Sequence, residues 1–164
     1  MTVAEDIQNW EVKTAVTDSY GENTGTLGGW ENCELRAYYR DTLYPLIPAA
    51  VRSAIVPVSK VHTAYRVKES NAAQTESYQQ TSTETVWCPS YPEMYSSRSN
   101  GGLYHTIFPD NASRIKQKVD ASSASWWWLR SATDRNYAYI VNSSGSYNSS
   151  STYNTGALAL GFCT

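Results

Sequence analysis

Charge is scarce in this sequence. Asp, Glu, Lys and Arg make up only 17% of its 164 residues, and the formal net charge is -2. Proteins that bind nucleic acid or an anionic membrane usually carry a basic patch, so this balance gives no support for either partner. No apolar run approaches the roughly 20 residues of a membrane span, and membrane insertion is therefore not expected.

Residues typical of catalytic and metal sites are also few. The chain has two histidines, His62 and His105, and three cysteines, Cys33, Cys88 and Cys163. Their spacing matches no metal-binding pattern and no catalytic set, and no phosphate-binding loop occurs. We therefore expect no enzyme activity, no cofactor and no metal. The small, odd number of cysteines does not suit a disulfide scaffold and favours free thiols.

Aromatic residues, in contrast, are abundant. The sequence contains 13 Tyr and 6 Trp but only 2 Phe. Tyr and Trp combine apolar area with a polar group and are common on half-exposed surfaces and at interfaces. A disordered chain would be poor in them, and 164 residues suffice for one domain with a core.

Helices are predicted mainly in the first part of the chain. Residues 10–17 alternate in polarity and predict a strand. Asn32 is a candidate N-cap for a helix over residues 33–44, which Pro45 would end. Pro48 suits the first turn of a second short helix.

Strands are predicted mostly afterwards. The predicted strands are residues 56–67, 84–90, 125–131, a hairpin over 136–153 that turns at Ser144 and Gly145, and an apolar final strand over 156–164. Residues 68–83 are interpreted as an exposed loop or a long hairpin tip. One helical turn is predicted at 91–97 and a helix at 111–119. Helices followed mostly by strands indicate an α+β fold.

The tract over residues 133–155 has an unusual composition. Asn, Ser, Thr and Tyr fill 17 of its 23 positions, and it contains no Lys or Glu. Binding surfaces use this set of residues because Tyr gives contact area at low entropic cost while Ser and Asn adapt their hydrogen bonds. A flexible polar tail is the alternative. The alternation of "YAYIV" and the apolar segment that follows favour a binding surface.

Several motifs occur in a recognisable order. They are "GGWENCELR" near residue 28, "SRIKQ" at 113–117, "WWLRSA" at 127–132 and the closing "GALALGFCT". This order resembles an uncharacterised bacterial and phage domain family. The likeness covers the chain from about Gly28 onwards, with Cys33 where that family usually has Ser. It divides the chain into an N-terminal strand and loop, 1–27, and a ligand-binding domain, 28–164, within a single domain overall.

The resemblance implies a C-type-lectin-like fold of the formylglycine-generating-enzyme type, with two short helices, a small mostly antiparallel sheet and irregular loops. Variable proteins of diversity-generating retroelements have this fold. Those elements rewrite adenines in a C-terminal coding stretch, which favours Asn, Tyr, Ser, Thr and Asp codons. The tract over 133–155 has the composition that such rewriting would leave.

The resemblance also assigns roles to residues. The structural frame would comprise Trp127, Trp128, Arg130 and Phe162, with Leu158 and Leu160 alternating into the core beside Phe162. Arg130 would hold a carboxylate or carbonyl groups beneath the binding face. The ligand-binding candidates are Asp134, Arg135, Asn136, Tyr137, Tyr139, Tyr147, Asn148, Ser150, Tyr153 and Asn154.

The expected function is ligand binding without catalysis, for host recognition or adhesion by a phage or prophage product. The partner would be a bacterial surface protein or glycan, and a homo-oligomer, for example a trimer, is compatible with it. The location would be a phage virion or the bacterial surface, and no signal peptide is visible in this chain. One alternative is a structural virion or assembly protein that uses the same tract for subunit contacts. Another is an oxidase-type enzyme, which would need a reactive thiol or a metal at Cys163.

Overall fold

The computed structural model describes residues 29–68, 70–95, 107–118, 122–134, 137–152, 154 and 156–164. Within them, short helices come first and antiparallel strands dominate afterwards. The α+β prediction is therefore confirmed. The strand predicted at 10–17 lies outside the described residues. No helix in the described part of the chain is long and apolar enough to cross a membrane.

The first helical segment is broken into short pieces. They are Gly29–Asn32, Glu34–Tyr38, a π-helical turn Tyr39–Leu43, and Tyr44–Leu46. The predicted N-cap, Asn32, is wrong. Cys33 caps Glu34–Tyr38 instead, because its extended backbone lets its sulfur accept the Arg36 N–H at 3.4 Å.

The two prolines of this region act at helix starts. Pro45 does not end the helical segment, which continues to Leu46. It lies in the first turn of Tyr44–Leu46, where the N–H that proline lacks is not needed. The second predicted helix is present as Ala49–Arg52, with Pro48 as its N-cap.

A long two-stranded hairpin follows the helices. Strand β1, Val58–Lys68, pairs antiparallel with β2, Asn71–Glu84. The loop interpretation of residues 68–83 is wrong over most of that range, because they form a strand. The polar sequence misled the prediction, since a strand in a two-stranded hairpin can leave much of its surface in water.

Two further predicted elements are shorter than expected. In the range 84–90, Glu84 is the end of β2 and pairs with Val58, and Val86, Trp87 and Cys88 are buried. After Glu84, the range pairs only through an isolated bridge between Trp87 and Gly161. The helix at 111–119 is limited to Asn111–Arg114, which Asp110 caps through a capping box. The next residues leave the helix and form β3, Lys116–Gln117, which pairs with β4, Ala124–Ser125. Of the helical turn predicted at 91–97, Tyr91–Tyr95 is helical, and the last two residues lie outside the described ones.

A three-stranded sheet forms the C-terminal half. Its order is β5 (Trp127–Ala132), β6 (Tyr137–Val141) and β7 (Tyr147–Ser151), all antiparallel. The predicted hairpin is thus present, although its strands are shorter. Its turn includes Gly145, whose φ is 82°.

The two faces of this sheet pack against different clusters. Trp128, Ala138 and Ile140 belong to the main core with Trp30, Tyr39 and Trp87 from the helical half. Trp127, Leu129 and Val141 lie on the other face and pack with Met94. Consecutive residues of a strand point to opposite faces, so two neighbouring tryptophans contribute to two clusters.

The final segment, 156–164, contacts several of these elements through single bridges and does not form a regular strand. Val56 pairs with Cys163, Trp87 with Gly161 and Trp127 with Ala157, each through a single bridge. Leu158 packs against the main core. The expectation that Leu160 and Phe162 would also be core residues is wrong, because they are 40% and 38% exposed. Since the segment changes partner every few residues, strand alternation does not continue along it.

The hairpin turn generates a stability prediction. An added β-carbon at Gly145 would stand 1.8 Å from the Asn111 carbonyl oxygen, and the positive φ already disfavours a side chain. We expect Gly145→Ala to lower the free energy of unfolding by about 2 kcal/mol or more. Ser143→Ala, an exposed change in the same turn, should have little effect in the same urea titration. Equal effects of the two changes would contradict this packing.

Candidate functional site

The Asn/Ser/Thr/Tyr tract forms most of the β6–β7 hairpin. The register pairs Tyr137 with Ser151, Tyr139 with Ser149 and Val141 with Tyr147. Paired residues point to the same face, so the tyrosines of both strands lie on the face that also carries Trp127. The part of the tract that the structure describes is therefore ordered on a frame.

Four tyrosine rings pack together on this face. The cluster comprises Tyr91, Tyr95, Tyr139 and Tyr147, and we call it the tyrosine cluster. Tyr91 stacks on Tyr139 with ring centroids 4.3 Å apart and on Tyr95 at 5.5 Å. Tyr147 meets Tyr91 edge-on at 5.1 Å and Tyr95 at 5.4 Å. Packed rings of this kind restrict each other's rotamers before a ligand is present. Little side-chain conformational entropy would therefore be lost on binding.

Exposure differs among the tyrosines of this face. Tyr147 is 54% exposed and Tyr137 is 44% exposed, while Tyr91, Tyr95 and Tyr139 are half-buried. Tyr95 donates its hydroxyl to the Gly145 carbonyl at 2.7 Å. Burial raises the pKa of Tyr95 to about 12, although the Arg114 cation opposes that shift. Tyr137 and Tyr147 thus present the most accessible aromatic area.

The remaining predicted binding residues do not all share this face. Asn148 and Ser150 alternate to the opposite side of β7, beside Ile140 and Ala138. Asp134 is exposed, and its carboxylate accepts the Tyr137 N–H at 3.0 Å.

Four predicted residues remain to be placed. Asn154 is exposed and donates to Ser150 Oγ at 2.9 Å. Arg135, Asn136 and Tyr153 lie outside the described residues. The structure therefore brings together Tyr137, Tyr139 and Tyr147, and not the whole predicted set.

Two members of the tyrosine cluster were missed by the sequence reasoning. Tyr91 and Tyr95 come from the short helix Tyr91–Tyr95, far from the tract in sequence. Their spacing of four residues places both rings on one side of a helical turn, which is the signal that could have singled them out.

Arg130 lies beneath this region and is almost fully buried. Its guanidinium donates to Glu93 Oε2 at 2.6 Å and to the Cys88 carbonyl at 2.7 Å, the two kinds of acceptor expected for it. The β5 pairing is irregular between Trp128 and Ala132, so this stretch leaves the ladder. The Arg130 N–H bonds to the Pro89 carbonyl instead. Such bulges commonly redirect side chains.

Glu93 is the centre of a buried charge network. Its carboxylate also accepts Lys60 Nζ at 3.0 Å and the Ser90 N–H at 2.7 Å. Burial opposes ionisation, but the adjacent Arg130 charge and hydrogen bond, the Ser90 N–H and Lys60 hold the pKa of Glu93 at about 2. The Glu93 carboxylate is therefore ionised at neutral pH.

His62 is buried close to this network. Its Nε2 lies 2.6 Å from Gln80 Oε1, an oxygen that also accepts the Glu31 N–H. Because that oxygen is an acceptor, Nε2 carries the proton. Burial lowers the pKa of His62 to about 4, although the hydrogen bond that His62 donates to Gln80 opposes that shift. The imidazole is therefore neutral at pH 7.

The cysteines offer no visible reaction centre. All three thiols are free, and burial raises the pKa of both Cys33 and Cys88 to about 12, so these two stay protonated. Cys163 is half-buried. Among the described residues, no group of three His, Cys, Asp or Glu side chains could hold a metal ion.

The burial of His62 predicts acid sensitivity. Between pH 6.5 and about pH 4 the unfolded chain binds a proton at this residue that the native chain does not, so stability falls as pH falls. We expect the free energy of unfolding to drop between pH 7 and pH 5 by on the order of 2 kcal/mol more in the wild type than in His62→Gln.

Urea titrations at the two pH values measure this difference. Glu93 contributes little in this window, because its pKa of about 2 and its unfolded value near 4.5 both lie below pH 5. Equal pH dependence in the wild type and His62→Gln would contradict the buried, neutral state of His62.

A model for the family described as domain of unknown function DUF6273 matches residues 6–158, which is most of the sequence. Neither the curated proteins nor the solved structures contain a match.

Proposed function

The chain belongs to the DUF6273 family, and we propose that it is a non-enzymatic ligand-binding domain for recognition of a bacterial surface. In this proposal it has a C-type-lectin-like fold and is a phage or prophage product. The β6–β7 hairpin is its binding surface, and the partner is a surface protein or glycan.

One observation carries the proposal. Tyr137 and Tyr147 expose large aromatic area on a hairpin whose opposite face is anchored in the main core. Aromatic side chains dominate the binding energy of most protein interfaces. Tyr147 adjoins the rings of Tyr91, Tyr95 and Tyr139, so its exposed area belongs to an aromatic patch, and exposed apolar patches commonly mark interaction sites.

The organisation of the surface supports the same proposal. A binding site benefits when its residues are held before the ligand arrives, because less entropy is lost on binding. Tyr147 is held by ring contacts to Tyr91, Tyr95 and Tyr139. The Asn142–Ser146 turn is also held, since Asn142 Oδ1 accepts the N–H groups of Ser144 and Ser146.

The C-type-lectin-like assignment is supported by the order of elements and by the motif likeness. Helices precede a small antiparallel sheet, and the segment closing with Gly161 pairs back with the residues after β2. Diversification is supported by composition alone: within the ordered hairpin, the outward positions are Tyr, Ser and Asn.

A cell-binding experiment tests the recognition function. Fluorescently labelled protein is incubated with a panel of bacterial strains, and retention is measured by flow cytometry. We expect retention on at least one strain and a loss of about tenfold or more when Tyr137→Ala and Tyr147→Ala are combined, as for hot-spot residues. The double variant should still be folded at the assay temperature, because both side chains are substantially exposed and the lost packing is limited to the ring contacts of Tyr147.

Tyr78→Ala provides the matched control, since Tyr78 is a partly exposed tyrosine on β2. It should retain wild-type binding. Retention on no strain, or equal binding by the double variant, would contradict the recognition function. A concentration-dependent oligomer that the same double variant dissociates would favour the alternative, an assembly protein that uses the hairpin for subunit contacts.

A second prediction concerns the coding sequence. If the tract is diversified by adenine rewriting, copies of this gene from different isolates should differ at the outward positions of 133–155 and agree at Trp127, Trp128 and Ile140. A near-copy of the stretch, differing at adenines, should lie beside a reverse transcriptase gene. Variation that is spread evenly over the frame and the hairpin would contradict diversification. It would not affect the proposal that the domain binds a ligand.

A further inference from the structure

The two most exposed tyrosine rings of the β6–β7 hairpin have no parallel stacking partner. Tyr147 contacts the other three rings of the tyrosine cluster at interplanar angles between 67° and 78°, so none of them lies parallel to it. Tyr137 makes no ring contact within the described part of the chain. Tyr91, in contrast, stacks on both Tyr95 and Tyr139. The rings of Tyr137 and Tyr147 therefore keep aromatic surface that a ligand can stack on.

Small hydroxyl side chains lie beside these rings. The register places Ser149 opposite Tyr139 and Ser151 opposite Tyr137, and paired residues share a face of the sheet. Ser149 is exposed. A serine hydroxyl both donates and accepts hydrogen bonds, as does a tyrosine hydroxyl. We call this side of the β6–β7 hairpin the tyrosine face, and it combines aromatic rings with hydroxyl groups.

Aliphatic and charged side chains are absent from the exposed middle of the tyrosine face. Its aliphatic residue in β6, Val141, is fully buried. The charged residues of the tract over 133–155 are Asp134 and Arg135, and both precede Tyr137 in the sequence. The Asp134 carboxylate accepts the Tyr137 N–H at 3.0 Å and so lies at the start of β6. No charged residue occurs between the two exposed tyrosines.

Further charged groups lie near the turn end of the hairpin. The Arg114 guanidinium is almost fully buried and lies 4.4 Å from the Tyr95 ring centroid. Lys116 Nζ lies 4.7 Å from the Phe108 ring centroid. Hydrogen bonds from Ser113, together with burial that opposes them and the nearby Arg114 charge, lower the pKa of the Asp110 carboxyl, which is therefore ionised at neutral pH. Charges of both signs thus flank the tyrosine face without lying on it.

The separation of the two exposed rings suits an extended ligand. Tyr147 pairs with Val141, at the end of β6, and Tyr137 begins the same strand. At about 3.3 Å per residue, the two tyrosine positions are roughly 13 Å apart along the strand. A short oligosaccharide spans this distance, and two of its sugar rings can reach both tyrosines.

We propose that the tyrosine face binds a surface glycan. The C–H faces of its pyranose rings stack on Tyr137 and Tyr147, and its hydroxyl groups bond to Ser149 and to the tyrosine hydroxyls. A pyranose ring has an apolar face and a rim of hydroxyls, which matches a surface of rings and hydroxyls. A standard protein interface buries about 800 Å² on each partner, whereas the exposed tyrosines here form a narrow row along one hairpin. This inference rests on the recognition function proposed above and names the class of its ligand.

Treatment of the cells distinguishes a glycan from a protein. Cells of a strain that retains the labelled protein are oxidised with periodate, which cleaves the vicinal diols of sugars, or digested with proteinase K, which removes surface proteins. We expect retention to fall about tenfold or more after periodate, as for loss of hot-spot contacts, and to change less than about twofold after proteinase K. Retention that survives periodate and is lost after proteinase K would overturn the glycan and identify a surface protein as the partner.

Polysaccharide extracted from the same strain and freed of protein tests the location of binding. The full chain is labelled with ¹⁵N, and amide shifts are followed by NMR during titration with this polysaccharide. We expect saturable shifts over Tyr137–Val141 and Tyr147–Ser151, and no shifts over Val58–Lys68. The absence of saturable shifts in both hairpin strands would overturn the assignment to the tyrosine face.

Paired substitutions separate ring stacking from burial of apolar area. Tyr147→Phe keeps the ring and should hold the affinity for the extracted polysaccharide within about threefold, whereas Tyr147→Leu keeps apolar area without a ring and should weaken it about tenfold. Tyr137→Phe and Tyr137→Leu repeat the comparison at a ring without described ring contacts, so the test holds even if Tyr147→Leu fails to fold. Tyr78→Leu, on β2 outside the tyrosine face, is the control and should bind as the wild type does. Equal affinities of the Phe and Leu variants would overturn the stacking.

Failure of the recognition function gives a different result from failure of the glycan. If untreated cells of no strain retain the protein, the recognition function is wrong and the glycan inference fails with it. If untreated cells retain the protein and retention resists periodate, the recognition function stands and only the ligand class is wrong.

Discussion

The buried ion pair between Arg130 and Glu93 is the interaction on which the rest of the structure depends. Arg130 comes from the irregular part of β5, and Glu93 comes from the short helix that carries Tyr91 and Tyr95. The same guanidinium reaches the carbonyl of Cys88. Because removing one partner of a buried pair typically costs about 3–5 kcal/mol, this helix has one favoured position against the sheet.

The contacts on both sides of the helix follow from that position. On one side, the rings of Tyr91 and Tyr95 meet Tyr139 and Tyr147. On the other, Glu93 pairs with Lys60. The two sides of the helix differ in chemistry, since one is aromatic and the other carries the Glu93–Lys60 ion pair.

The sequence predicted the framework of the C-terminal half better than the details of the N-terminal half. The β6–β7 hairpin was predictable because alternation and a glycine turn are local signals. The long strand β2 was missed because "NAAQTESYQQTSTE" has no apolar alternation, and only its partner β1 makes it a strand. The exposure of Phe162 could not be predicted, since it depends on three single bridges to distant residues.

The candidate site shows the same limit. Tyr137, Tyr139 and Tyr147 could be named from composition. The position of Tyr91 and Tyr95 on the same face could not be predicted, because it depends on the ion pair that positions the helix.

The Asn/Ser/Thr/Tyr tract forms an ordered surface over β6 and β7 and not a flexible tail. Hydrogen–deuterium exchange of the full chain, resolved to β5, β6 and β7, tests it most directly. The structure predicts that amides paired between β6 and β7 exchange orders of magnitude more slowly than an unstructured peptide and approach the protection of β5. Exchange across residues 137–151 at the rate of an unstructured peptide would contradict the account.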